Sequence, residues 1–302
     1  MNSYNMSQEE KSYLEQYDIT QYERPSLATD IAIFSIMDEG ENTNFRKLAK
    51  KALKILLIKR GTYPYKDCWA LPGGFCLSSE DVYETARREL YEETGVKDVF
   101  LKPAGVFGEV GRDPRGWIIS NAFLALMDSK NSTLRAGTDA WEAKWFAVEL
   151  EKEELRKEAG VDSVYIETEY VLRLSHQEDE TSFAAKVMEY KEFKNYHETV
   201  RYEILDDGNL AFDHGKIILQ ALLTLRKEVE NDSRIAFDLM PELFTLTQLQ
   251  TAFEVIQDEE LLKANFRRKI ADYVTETDKS IEGAGHRPAK LFKRNVEAFY
   301  KE

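Results

Sequence analysis

Three glutamates in one short stretch, Glu89, Glu92 and Glu93, carry the chemistry that this sequence offers. At about 100° per residue on a helix, Glu89 and Glu93 lie about 40° apart and Glu92 about 60° from Glu89 on the other side, so the carboxylates share roughly a quarter to a third of the circumference. They repel one another unless a cation sits among them. Hard oxygen donors at that density suit Mg2+ or Mn2+, which bridge carboxylates, water and substrate phosphates. An isolated Glu-x-x-Glu-Glu run is more often a solvated helix face, and the flanking residues decide between the two.

Those flanks form a fixed frame: Gly74, five residues, Glu80, seven residues, Arg88-Glu89-Leu90, one residue, Glu92-Glu93, one residue, Gly95-Val96. Seven fixed positions at about 6% each and two aliphatics at about 30% each put a chance match in ~300 residues on the order of one in ten million. The stretch resembles the complete Nudix box. A helix is expected from about residue 80 to 94, with Ser78 and Ser79 as caps, Glu80 and Asp81 at its positive end, and Gly95 as the left-handed stop. Val82, Ala86 and Leu90 form a stripe that packs on a sheet, and Arg88 reaches back toward Glu84 and Glu80. Gly74, Glu80, Arg88 and Gly95 thus read as structural. The resemblance implies that the Gly73 carbonyl joins Glu89, Glu92 and Glu93 around the metal.

Composition sets the outer limits. With 302 residues, 43% hydrophobic and 12% aromatic, the chain holds two domains with cores of their own. The polar N-terminus has no apolar run of secretory length, and no stretch approaches ~18 uninterrupted apolar residues, so a soluble, cytoplasmic protein with no membrane partner is expected. The two cysteines, Cys68 and Cys76, read as reduced structural thiols. A net charge of −14 opposes phosphate-bearing partners at long range, so any such partner must meet a bound metal or a local basic patch.

Residues 1–24 read as a polar helix or arm. Residues 27–36 and 52–60 are neighbouring strands, and 99–106 and 117–127 are two more, separated by a Pro- and Gly-containing connector, residues 109–116. Its Arg112 and Arg115 are either a solvated tip or a guanidinium pair presented to a pyrophosphate or ribose; the segment 111–116 is similar to one in Nudix proteins that bind ADP-ribose. Residues 142–148, 164–174, 183–190 and 200–205 are further antiparallel strands.

Asp206-Asp207-Gly208-Asn209 marks a boundary. Beyond it Ile217, Ile218, Ala221, Leu222, Leu225 and Val229 define an amphipathic helix, residues 213–230, whose stripe reads as core or dimer packing. Helices over 245–257 and 260–274, then a hairpin over 275–294, make a winged helix. Residues 240–302 carry 10 basic against 11 acidic residues, while residues 1–239 carry 31 against 44. Arg267, Arg268 and Lys269 on the second helix, with Arg287 and Lys290 on the wing, are either solvated cations of an ordinary interaction domain or placed to meet DNA phosphates.

Both halves in this order are similar to the Nudix-related transcriptional regulators. The fold class expected is α+β: a Nudix α/β/α sandwich with a mixed sheet, followed by a winged helix-turn-helix domain. The divisions expected are an arm (1–24), a Nudix domain (25–208), a linker helix (209–239) and a winged-helix domain (240–302). Because the box is complete, the leading expectation is a Mg2+-dependent (or Mn2+-dependent) hydrolase of a nucleotide-sugar pyrophosphate, ADP-ribose first, with Glu89, Glu92 and Glu93 at the metal and one of them or a loop carboxylate as base. The rival is an ADP-ribose-sensing regulator of double-stranded DNA. A homodimer is expected in either case.

Overall fold

The polar start of the chain forms α1 (Gln8–Gln16), closed by a reciprocal cap in which Ser7 accepts from the Glu10 amide and Glu10 accepts from the Ser7 amide. None of its residues is buried. The computed structural model describes residues 6–39, 50–97, 99–128, 140–283 and 286–299; most of the connector between residues 38 and 51 lies outside them.

The β-branched and apolar runs become β1 (Ser26–Asp38) and β2 (Lys51–Arg60), an antiparallel pair. Two short strands follow, β3 (Trp69–Ala70) and β4 (Gly73–Phe75), then the box helix α2 (Val82–Thr94), β5 (Phe100–Phe107) and β6 (Ile118–Leu126). The alternating second half forms four long antiparallel strands, β7 (Ala140–Ala159), β8 (Ser163–His176), β9 (Thr181–Lys194) and β10 (His197–Asp206). All belong to one sheet of order β10-β9-β8-β7-β2-β1-β6-β5, with β3 on β2 and β4 on β1. It is mixed, because β1 and β6 run parallel.

β1 lacks the simple in-out alternation of a surface strand because both of its faces are covered. Ile31 and Ile33 pack with Phe123 under Ala86 and Leu90 of α2, and Ala32 and Phe34 pack on the opposite face with α3 (His214–Asn231). The sheet therefore lies between two helices, as the α/β/α reading requires. In α3, Ile217, Ile218, Leu219, Ala221 and Leu225 are all inaccessible to solvent. One side of the helix meets the sheet and the other meets the C-terminal layer, whose Phe244, Leu249, Phe253, Phe266 and Ile270 belong to the same apolar cluster.

That layer contains α4 (Leu246–Gln257), α5 (Lys263–Ile270), a hairpin of β11 (Val274–Gly283) and β12 (His286–Arg294), and a last turn α6 (Val296–Phe299). Thr245 caps α4 and shares a capping box with Gln248. The second helix is shorter than the expected 260–274: Tyr273 closes a 3-10 turn and Val274 starts the wing. No helix of the described residues is long and apolar enough to cross a membrane.

Candidate ligand-binding site

The box helix starts later than residue 80, and neither serine caps it. Asp81 is the cap: it accepts from the Tyr83 and Glu84 amides at 2.8 Å, and Glu84 accepts from the Asp81 amide at 2.9 Å. That reciprocal pair satisfies more orphan donors than a lone serine one turn earlier. Glu84 is thereby committed to the cap and is not the partner of Arg88. Gly95 ends the helix in the left-handed region (φ 69°), its amide bonded to the Tyr91 carbonyl at 2.8 Å.

Arg88 ties the box together. Its Nε and Nη2 donate to the two oxygens of Glu80 at 2.8 and 3.1 Å, Nη1 donates to Glu89 at 2.7 Å, and Nη2 also reaches the Phe75 carbonyl at 3.3 Å. The Arg88 hydrogen bonds hold the Glu80 carboxyl below its ordinary value, and its partner carboxylates raise Arg88. Burial pushes the Glu89 carboxyl up, and Arg88 only partly restores it. Glu93 is buried, while the half-exposed Glu92 sits 3.6 Å from Arg88. A Cβ on Gly74 would lie 2.1 Å from Glu89 Oε1, so the glycine makes the space that this carboxylate occupies. Gly73 pairs with Asp30 in the β1–β4 ladder.

Glu89, Glu92, Glu93, Gly73 and Gly74 form one wall of a cleft of about 540 Å³. Among the described residues no group of three His, Cys, Asp or Glu side chains is arranged as a ready-made metal cage.

The opposite wall comes from the connector and from the chain entering α3. Arg112 is nearly inaccessible and grips Asp213 in a fork, Nε to Oδ2 at 2.8 Å and Nη2 to Oδ1 at 2.6 Å, with Asp30 at 3.5 Å. Burial opposes its charge, but Asp213 and Asp30 outweigh that and raise its pKa. Arg115 is anchored by Asp113 at 2.7 Å and lies between the rings of Phe75 and Phe212, its guanidinium carbon 5.1 and 5.2 Å from their centroids. It is the more presented of the two arginines, 42% exposed against 4% for Arg112. Phe212, held at φ 54°, also carries Arg60 at 4.9 Å on its ring; a bulky residue persists in that region only where its surroundings fix it.

His214 lies beneath them. Its Nδ1 accepts from the Leu71 amide at 2.9 Å, which places the proton of the neutral ring on Nε2, 3.5 Å from Asp30 Oδ1. Burial lowers its pKa. Ser120 donates to the same aspartate at 2.5 Å.

The structure thus brings Gly73, Gly74, Arg88, the three box glutamates, Arg112 and Arg115 to one cleft. Sequence reading did not place Asp30, Phe212 or His214 there, or Asp213 behind Arg112. The one available signal was Asp30, a lone charge inside the apolar run 27–36.

The winged-helix basic residues differ in their partners. Arg267, Arg268 and Lys269 are all exposed on α5, Lys269 also lying over the Phe253 ring at 5.5 Å, and the exposed Lys290 pairs with Glu276. The Arg287 side chain lies outside the described residues.

Comparison with known proteins matches residues 45–168 to the NUDIX domain and residues 236–293 to the NrtR DNA-binding winged helix domain. Over 94% of this chain and 88% of the other, the sequence is 31% identical to an ADPR responsive transcriptional repressor, NtrR, of Acinetobacter baylyi. The chain belongs to the NrtR family of Nudix proteins. A second relative is an ADP-ribose pyrophosphatase of Methanocaldococcus jannaschii, 46% identical over 33% of this chain and 57% of that protein. The solved structure of Shewanella oneidensis NrtR complexed with a 27mer DNA has the same fold as this NrtR-family chain, with a TM-score of 0.56, 22% identity, and coverage of 90% and 94%.

Proposed function

We propose that this NrtR-family chain is a DNA-binding transcriptional regulator whose Nudix cleft binds ADP-ribose as an effector. The observation that carries the reading is the whole-length likeness to an ADPR responsive repressor, with both domains in the same order. The cleft supports it: Arg112 and Arg115, with the rings of Phe75 and Phe212, are among the residues that line a space of about 540 Å³, a lining suited to a diphosphate and a flat base. On the C-terminal layer, exposed Arg267 and Arg268 on α5 would meet duplex phosphates, and two copies of the chain would present them to a two-fold site. The test is fluorescence anisotropy of the pure protein on a duplex selected from a random pool, with and without ADP-ribose. Retention at low salt with release by ADP-ribose supports the proposal. No duplex retained at low salt, or retention indifferent to ADP-ribose, sinks it.

A second reading, metal-dependent hydrolysis of the ADP-ribose pyrophosphate, is favoured by the complete box and by the pyrophosphatase relative. The donor set fits a hard divalent cation: every candidate is an oxygen, and burial already disfavours an uncompensated Glu89 carboxylate. Glu89 and Glu93, with Glu92 and the Gly73 carbonyl, would hold Mg2+ or Mn2+. Such an ion, when bound, neutralises the diphosphate and makes a water more acidic. Arg88 orients Glu89, Gly74 leaves room for it, and one of the glutamates or a loop carboxylate would accept the water proton. AMP and ribose 5-phosphate from the wild type, falling to about 1% or less in Glu93→Gln, support this reading; wild-type inertness with ADP-ribose bound leaves only the effector role.

A further inference from the structure

The first turn of α3 is stitched to the connector by two ion pairs of opposite sense. The connector supplies Arg112 and Glu109, and the helix end supplies Asp213 and Lys216. Arg112 holds Asp213 at 2.6 and 2.8 Å, and Lys216 Nζ lies 2.6 Å from Glu109 Oε2. At its other end α3 is bonded to the winged helix: Arg226 Nε donates to the Ile256 carbonyl at 2.9 Å, and Gln257 Nε2 donates to the Arg226 carbonyl at 2.8 Å. An 18-residue helix, about 27 Å long, thus joins the cleft wall to α4.

We infer that the Arg112–Asp213 fork is a latch that reports a diphosphate in the cleft: ligand oxygens draw the guanidinium off Asp213, and the released first turn of α3 passes the change to α4. The inference rests on the effector reading above and names how the site is read out. Arg112 lines the cleft and is within a ligand's reach. A diphosphate offers the guanidinium the same bidentate match as the carboxylate, with more charge. Asp213 is 5% exposed and shares Arg112 with Asp30. A buried carboxylate stripped of its cation does not stay in place, and this one immediately precedes α3. The buried body of the helix cannot absorb the movement locally, because close-packed interiors shift between discrete arrangements.

The latch makes opposed predictions for its two ends. In Asp213→Asn, ADP-ribose no longer displaces a competing carboxylate, so it binds about tenfold more tightly, and its effect on duplex affinity falls from about tenfold or more to about twofold or less. Gln257→Leu, at the far end, keeps wild-type ADP-ribose affinity and loses the response. General damage at the helix start would weaken ADP-ribose binding instead. Titration calorimetry with ADP-ribose and anisotropy on the selected duplex read both quantities. Should Asp213→Asn fail to fold, hydrogen exchange on the wild type decides: ADP-ribose is expected to speed exchange across residues 213–219. Unchanged exchange there in a protein that binds ADP-ribose and releases DNA overturns the latch and leaves the effector reading standing. A wild type that binds no ADP-ribose overturns both.

Discussion

Two adjacent glycines at the box entrance meet different kinds of neighbour. A Cβ on Gly73 would lie 2.1 Å from the backbone oxygen of Thr29, whereas on Gly74 it would meet the end of the Glu89 side chain at the same distance. Backbone in a ladder cannot step aside, but a carboxylate can swing. Gly73→Ala is therefore expected to destabilise the fold by about 1–3 kcal/mol and Gly74→Ala by less than about 1 kcal/mol, while Gly74→Ala alone displaces Glu89 from Arg88. Urea unfolding separates the two, and equal losses would contradict the assignment. His214 gives a second expectation. Its buried ring has a lowered pKa, so the unfolded chain binds its proton more readily than the folded one. The stability this contributes is complete above about pH 6.5 and declines as pH falls from there toward the folded value, with a slope of up to about 1.4 kcal/mol per pH unit. His214→Gln should flatten that limb; an unchanged slope would assign it to other groups. At this scale the box was legible because its spacing is local. Asp30, Phe212 and His214 were not, since strand pairing and the β10–α3 turn bring them to the box from distant sequence.

Among the elements, α3 shows why periodicity reads a helix more easily than its surroundings. The stripe of Ile217, Ile218, Ala221, Leu222, Leu225 and Val229 fits one apolar face, yet Leu219 on another side is equally buried because a second layer covers it. Leu222→Ala should cost about 2–5 kcal/mol, and tryptophan fluorescence from the sheet should unfold together with helical signal from the C-terminal layer. Two separate transitions would mean that the layers do not share the helix. The start of α2 was misplaced for a different reason: Ser78, Ser79 and Asp81 are all good caps, and only the glutamate three residues after Asp81 marks which one prevails. For α5, Tyr273 and Val274 extend a helical apolar pattern but belong to the turn and strand that follow, an ambiguity that short apolar runs always carry.

For the molecule as a whole, charge decides how a duplex is approached. Nearly all of the net −14 is carried by residues 1–239, and the last 63 residues are close to balance, so attraction depends on a few exposed cations. Arg267→Ala and Arg268→Ala should each weaken binding across duplex sequences and lower the salt slope by about one unit. A slope unchanged by both would move the contact surface away from α5. Lys269, lying on Phe253, should matter less.

The sharing of α3 by two layers also bears on how the chain can be divided. A piece cut after residue 208 would bare Ala32, Phe34, Leu124 and Leu126 on one side of the sheet, and a piece beginning at residue 240 would bare Phe244 and Phe253. Each half depends on the same stretch for its solubility, so a break or a proteolytic nick anywhere between them exposes adhesive surface on both products.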